Sequence, residues 1–436
     1  MKKIDVFLNK LLSFLRTTKI YPFLFQLLIF SIFCFLFISL INRNEFSSLK
    51  LGMIIVWHIW WPLIPILVIF TGRLWCSICP FSSTANLLNK IFPYRMFNGR
   101  LVIQYGFIVA LFVFAVIVAI DIIFVIKFNQ YYTLIFFLTL FSMLIAIAIM
   151  FDYKTYCNAI CPFGLISKIY NRFSFLKIKD NDNICSECKK EAWIKSAPIG
   201  ELKKNNSEFE NRDWKFKLEC LKGCRVDSMK ILYVNPLKEN PSFDGLKLAE
   251  ALAPSMIIIL FSVHVFLKSN YFINIYNNLQ LSFTFSLNLF IITIIILAII
   301  INILINMAII NVSSNVLKIE NTIAYKGFYS LTPLLIFFHI SLVLREMRGI
   351  TSLGHLYPAL GFLEHLFPSE DNLQSIAYFL TFIGIFLSAV SFFYITKLSN
   401  KLPQNISSAF MFMFSMIFAF NSFLALATIK YSQYFS

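Results

Sequence analysis

Charge is what this sequence has least of. Asp, Glu, Lys and Arg together make up 14% of the 436 residues, and only 22 of them are acidic. Soluble domains carry roughly 25% charged residues, so a soluble globule is excluded. Histidine is scarce as well, with five in the chain. No small-residue cleavage site follows the first apolar run, so that run is expected to be a retained span rather than a cleaved signal peptide. No thioredoxin-like βαβ pattern surrounds the closely spaced cysteines Cys76/Cys79, Cys157/Cys161, Cys185/Cys188 and Cys220/Cys224, which puts dithiol redox chemistry behind metal ligation.

Apolar residues are abundant instead. The chain is 58% hydrophobic with a mean hydropathy of +0.75. Apolar runs fall at about 21–42, 52–71, 101–126, 132–151, 250–268, 283–308, 328–345, 374–397 and 405–428. Each is close to the ~20 residues that cross a bilayer as a helix. The expected fold class is an all-α polytopic membrane protein of about nine transmembrane helices with a small cytoplasmic insert. Three parts follow: a four-helix membrane part at 1–151, a polar cysteine-rich insert at 152–249, and a five-helix membrane part at 250–436. Pro62 and Pro65 should kink or break the second run.

The net charge of +16 could point to nucleic acid, but its distribution points to membrane topology and no nucleic-acid partner is expected. With the N-terminus inside, 31 of the 38 Lys and Arg fall on inner segments. The outer ones are Arg43, Lys50, Lys127, Lys268, Arg345, Arg348 and Lys430. Without the long insert the bias is still 13 to 7. This places the N-terminus and every paired cysteine on the cytoplasmic side of a bacterial inner membrane, and all five histidines in the outer half.

Eight of the nine cysteines form four pairs: Cys76/Cys79, Cys157/Cys161, Cys185/Cys188 and Cys220/Cys224. The ninth, Cys34, lies in an apolar run and reads as a small buried hydrophobe. The first two pairs look like copies of one motif. Arg73-Leu-Trp-Cys76-Ser-Ile-Cys79-Pro80-Phe81 aligns with Lys154-Thr-Tyr-Cys157-Asn-Ala-Ile-Cys161-Pro162-Phe163-Gly164, with one residue more between the cysteines of the second. Closely spaced pairs and Cys-Pro steps are features of 4Fe-4S ligand runs. The economical pairing is one cluster from Cys76, Cys79, Cys157 and Cys161 and a second from Cys185, Cys188, Cys220 and Cys224. Zinc held by four thiolates is the alternative in each case.

The stretch Trp57-His-Ile-Trp-Trp-Pro62, followed by Gly72 to Phe81 and by Cys157 to Gly164, resembles the membrane-bound polyferredoxin proteins of the NosR, NapH and CcoG type. The resemblance covers roughly residues 50–230. It implies two cytoplasmic Cys-x-x-x-Cys-Pro motifs after transmembrane helices, then ferredoxin motifs, and an electron-transfer role. The first copy departs from it, with two residues between its cysteines. The insert departs further. Ala197 stands where the fourth cysteine of a ferredoxin run would be, and Cys220 to Cys224 looks like a shortened second run. Four ligands remain there, enough for one cluster.

Of the histidines, His264 and His339 lie on different spans, the arrangement a bis-histidine haem b requires. The outer stretch from Arg345 to His365 and Asp121 are further polar groups on that side, where a quinone pocket, a copper or haem site, or a docking face for a periplasmic partner could lie; an interfacial amphipathic helix is the plain alternative. The function expected is that of an oxidoreductase component. It would pass electrons between a cytoplasmic donor or acceptor and a quinone, haem or periplasmic partner, with the chemistry in the cofactors and no catalytic side chain. An assembly factor supplying electrons for metal-cofactor insertion into a respiratory enzyme is the second reading. A transporter with structural zinc is the third.

Overall fold

The computed structural model describes residues 23–41, 52–92, 105–180, 229–233, 248–280, 286–346, 370–398 and 404–431, with short breaks at 54, 73, 152–154 and 318, and isolated positions elsewhere. The described residues are almost all helical. Seven helices among them are long and apolar enough to cross a membrane: Phe23–Ile41, Gly106–Phe124, Gln130–Met150, Leu248–Leu267, Leu287–Val316, Ile323–Leu344 and Asn372–Tyr394. Ile55–Thr71 and Phe414–Ile429 are apolar but shorter. This is compatible with a multi-pass membrane protein.

The chain forms two compact units. The first comprises Met1–Gly52, Leu63–Val113 and Thr133–Ser242; the second comprises Met53–Pro62, Phe114–Tyr132 and Phe243–Ser436. Several elements carry residues of both. Helix α1 is Phe23–Ile41. A π-helical turn, π1, runs Ile55–Trp60 and passes into α2, Trp61–Thr71. The change of helix type falls just before Pro62, where the missing N–H breaks the ordinary ladder. Then come α3 (Leu74–Ile78), α4 (Pro80–Ile91), α5 (Gly106–Phe124) and α6 (Gln130–Met150). A second π-turn, π2 (Tyr156–Ile160), leads into α7, Pro162–Asn171.

Aromatic side chains hold the first unit together. Phe33 of α1 contacts Phe81, Phe137 and Phe141, with ring centroids 5.4 to 6.0 Å apart. Phe81 also packs on Phe141 at 5.3 Å. The Phe of the first Cys-Pro-Phe step thus pins α4 to α1 and α6. Edge and offset ring pairs of this kind each add about 0.5–1.5 kcal/mol beyond burial.

Two short strands, β1 (Leu176–Asp180) and β2 (Met229–Tyr233), pair antiparallel, with Leu176 opposite Tyr233 and Asp180 opposite Met229. Their base is fixed to the end of α2. The Phe175 N–H donates to the Ile69 carbonyl at 2.9 Å, and the Phe175 ring lies on Phe70 and Tyr233 at 5.7 and 5.8 Å. Gly72 ends α2 with φ +63°, donating back to Val68, the left-handed closure that favours glycine. Residues 181–228 and 234–247, which make up most of the expected insert, lie outside the described residues.

In the second unit, α8 (Leu248–Leu267) is buried along nearly its whole length. It packs against α10 (Leu287–Asn311), α11 (Asn321–Tyr329), α12 (Thr332–Glu346) and α14 (Gln404–Tyr431). Three of these helices share a buried amide–hydroxyl network. Asn302 Nδ2 donates to Ser255 Oγ at 3.1 Å and Asn306 Nδ2 to Asn302 Oδ1 at 2.8 Å, while Ser255 Oγ reaches Asn421 Oδ1 at 3.5 Å. Polar groups of this kind link helices where lipid offers them no partner. Helix α13 (Glu370–Leu398) lies close along α12; a Cβ on Gly384 would come within 2.8 Å of the Phe337 Cβ. Helix α9 (Asn270–Gln280), with exposed Tyr271 and Ile273 and buried Phe272 and Tyr276, falls where no span was expected. Its polar residues interrupt the apolar run, so a search for long apolar stretches passes over it.

Candidate metal centre

The two Cys-Pro copies fold alike. In the first, Cys79 is extended at φ −60°, ψ 133°, and Pro80 opens α4. In the second, Cys161 is extended at φ −63°, ψ 118°, and Pro162 opens α7. Proline suits this first helical position, where an N–H would have no partner. Each cysteine carbonyl then accepts the first helical bond, from Ser83 N–H and Leu165 N–H, both at 3.0 Å. The copies place their last cysteine in one and the same way.

They differ upstream. The first copy reaches Cys79 through an α-helical turn, Leu74–Ile78. The second reaches Cys161 through π2, closed by Cys161 N–H donating to the Tyr156 carbonyl at 2.8 Å. An extra residue at α-helical pitch would rotate the second thiol by about 100° relative to the first. The wider i→i+5 turn takes up the insertion within one turn. The additional residue of Cys157-Asn-Ala-Ile-Cys161 is therefore absorbed before the Cys-Pro step. Only the difference in spacing signalled this in the sequence.

Gly164 belongs to the same adjustment. A Cβ there would collide with the carbonyl oxygen of Cys157 and lie 3.4 Å from the Cys161 Cβ. The aligned residue of the first copy is Ser82, a buried residue whose side chain is accommodated. Backbone of the π-turn thus occupies the place that a side chain fills in the other copy.

The four thiols act on one another. Burial raises the Cys79 thiol, and Cys161, Cys76 and Cys157 raise it further. Cys161 is pushed up to about 12 by burial and by Cys157, with Cys76 adding to it. Cys157 is itself buried. The free N–H groups of the first helical turns oppose the rise: Ser82 acts on Cys79, and Gly164 and Phe163 act on Cys161. Neither cysteine closes a side-chain capping bond. The buried Tyr156 hydroxyl is also pushed up, by burial and then by Cys161, Cys157 and Cys79.

Four sulfurs that repel one another when ionised, supplied by two loops and faced by helix N-termini, are a donor set that needs a cation to deprotonate together. Thiolate ligands to iron meet that need, so the residues present fit a 4Fe-4S cluster. Among the described residues, no three His, Cys, Asp or Glu side chains already close around a single ion. Cys185, Cys188, Cys220 and Cys224 lie outside the described residues.

The expected haem ligands are both in the second unit. His264 of α8 shares a hydrogen bond of 2.7 Å between its Nε2 and Asp121 Oδ2 of α5, and Lys268 Nζ donates to that same oxygen at 2.8 Å. His339 of α12 is buried, with its ring 4.7 Å from the Phe261 ring and 5.6 Å from Trp61. His264 and His339 are thus engaged with different neighbours. His58 falls within π1, and His355 and His365 lie outside the described residues. Asp121 was legible as a polar residue in an apolar run, but its partner Lys268 was counted only as an outer-loop charge.

Comparison with known proteins supports the cluster. A family model described as a 4Fe-4S binding domain matches twice, over residues 53–98 and 133–179. Each match contains one Cys-Pro copy, all or most of the apolar helix before it and the short helix after it. No curated protein and no solved structure matches the chain. The similarity is to a 4Fe-4S binding domain, and the chain is read accordingly as a 4Fe-4S binding protein.

Proposed function

We propose that this is a multi-pass electron-transfer protein of the membrane-bound polyferredoxin type, in which Cys76, Cys79, Cys157 and Cys161 jointly hold one 4Fe-4S cluster. The observation that carries this is the paired geometry. Each of the two matched segments contains a Cys-Pro loop of the same backbone conformation, and the four thiols interact electrostatically. A cluster bound there would supply reversible one-electron transfer. The protein's own residues set its surroundings: Pro80 and Pro162 turn the chain away, helix N–H groups face the sulfurs, and burial keeps water back.

A second cluster on Cys185, Cys188, Cys220 and Cys224 belongs to the same reading. The strand pairing of Asp180 with Met229 brings the two ends of the intervening segment together. Cys185 follows Asp180 by five residues and Cys224 precedes Met229 by five. The excess of Lys and Arg on alternate loops supports a cytoplasmic position for both sets in a bacterial inner membrane. A cytoplasmic redox protein would then sit at one end of the path, and a quinone, haem or periplasmic partner at the other.

Anaerobic purification with iron, sulfide, zinc and haem analysis, together with EPR of the dithionite-reduced chain, tests this. Iron and sulfide near four atoms per cluster and a reduced-cluster signal are expected. Zinc without iron would overturn it in favour of a structural zinc site. Co-purification with a respiratory enzyme only during that enzyme's maturation would assign the electrons to cofactor assembly instead.

A further inference from the structure

The second Cys-Pro copy brings to the cysteine site a side chain that the first does not offer. Aligned on their cysteines, Trp75 precedes Cys76 and Tyr156 precedes Cys157. A phenol hydroxyl thus stands where the other copy has an indole. Tyr156 opens π2, and its carbonyl accepts from the Cys161 N–H at 2.8 Å. A bond from residue i+5 back to residue i stacks the two residues across one wide turn. At α-helical pitch the same two residues would lie about 140° apart around the axis. The π-turn therefore carries Tyr156 to the same side as Cys161.

Tyr156 is 1% exposed and among the largest fully buried side chains of the described residues. Burial and three thiols act on its hydroxyl: Cys161 and Cys157 of its own loop and Cys79 of the other. Tyr170 of α7 gives the contrast. It is as deeply buried, but burial is what raises its hydroxyl, with none of the four cysteines among the causes. Two tyrosines 14 residues apart are thus equally hidden, and one of them is turned to the cysteine site.

A buried hydroxyl is expected to find an acceptor, and sulfurs of both loops are the groups that act on this one. A donor to such a sulfur favours the reduced state of a cluster, because reduction adds negative charge to the acceptor. We propose that the Tyr156 hydroxyl donates a hydrogen bond to a sulfur of the cluster held by Cys76, Cys79, Cys157 and Cys161 and so raises its reduction potential, an inference that rests on the electron-transfer reading above. Trp75 has no hydroxyl to give, so the second copy sets the potential of a cluster that both copies hold.

The test is an EPR-monitored redox titration of the full, iron-loaded chain in lipid nanodiscs, read on the signal that disappears in Cys157→Ala. Tyr156→Phe should lower the potential by the equivalent of a tenfold change in the reduced-to-oxidised ratio, about 59 mV for one electron. Tyr170→Phe, which removes a buried hydroxyl elsewhere, should leave the potential unchanged. Pulsed EPR after exchange into deuterated water should show one exchangeable-proton coupling fewer in Tyr156→Phe and none fewer in Tyr170→Phe, a signature that altered packing does not produce. Should Tyr156→Phe fail to retain iron, fluorotyrosine placed at 156 keeps the ring and strengthens the donor, and the potential should rise. An unchanged potential or an unchanged set of couplings in iron-loaded Tyr156→Phe, or an unchanged potential with fluorotyrosine, overturns the inference and leaves the cluster in place. An unaltered chain without iron overturns the electron-transfer reading itself, and this inference with it.

Discussion

The two Cys-Pro copies share an end and differ in the approach to it. Both place the last cysteine extended and open a helix with proline. The first copy approaches through an α-turn, and its helix α4 leaves Leu87 and Ile91 more than half exposed. The second approaches through a π-turn, and the helix after it is buried at Leu165, Ile166, Ile169 and Tyr170. The lesson is that the fixed quantity is the local geometry of the second thiol of each pair. Spacing in the sequence is free to vary as long as the helix type changes with it.

The largest break in this comparison comes from the thiols themselves. Replacing any of Cys76, Cys79, Cys157 or Cys161 by Ala should remove nearly all the iron belonging to that cluster, since three thiolates leave one iron without its ligand. Iron and sulfide per chain, compared with the unaltered protein, measure it. Retention of full iron in Cys76→Ala alone would show that the first copy is not part of the ligand set.

Next in size is the position that distinguishes the copies most sharply. Gly164→Ser writes the first copy's residue into the second. Its Cβ would meet the Cys157 carbonyl, so the π-turn must shift, at a cost of about 1–3 kcal/mol. The reciprocal Ser82→Gly only loosens a helix, by about 0.5–1 kcal/mol. Cluster retention during denaturant titration should rank the two in that order. Equal effects would mean that Gly164 is incidental to the turn.

How much of this could be read in the sequence divides along the same line. The four cysteine pairs, the prolines and the apolar runs were all visible, because a thiol pair and a run of Ile and Phe carry their meaning locally. The π-turn was not: Cys157-Asn-Ala-Ile-Cys161 can be drawn as an α-turn until its backbone must meet Pro162. Nor was the role of Gly164, whose need for a missing side chain arises from a carbonyl seven residues away. Asp121, His264 and Lys268 were each visible but not as a group, since 143 residues separate the aspartate from the histidine and only packing of α5 on α8 joins them.

A smaller effect follows from shortening the π-turn. Deleting Asn158 gives the second copy the spacing of the first. If helix type compensates for spacing, the chain should still assemble its cluster, with iron content close to unaltered. The reduction potential should move, because the backbone around Cys157 and the buried Tyr156 would be rearranged; EPR-monitored redox titration reads the shift. Complete loss of iron would show that the copies are not interchangeable and that the π-turn has a role beyond taking up a residue.

The smallest effect concerns protons in the metal-free chain. Cys161 is pushed from an ordinary value of 9.0 up to about 12, first by burial and then by Cys157. Cys79 is raised for the same reasons. A folded thiol that holds its proton more tightly than the unfolded one stabilises the fold fully below about pH 9, and that contribution is lost as pH rises toward 12. The chelator-treated chain should therefore become easier to unfold across that window. Its Cys79 and Cys161 should react with iodoacetamide more slowly at pH 9 in the folded chain than in the urea-unfolded chain. Cys161→Ser should flatten the decline in stability and speed alkylation of Cys79, because one of the repelling sulfurs is gone. Unchanged alkylation of Cys79 in that variant would show that the two loops do not act on each other, and the copies would then have to be read as two separate half-sites.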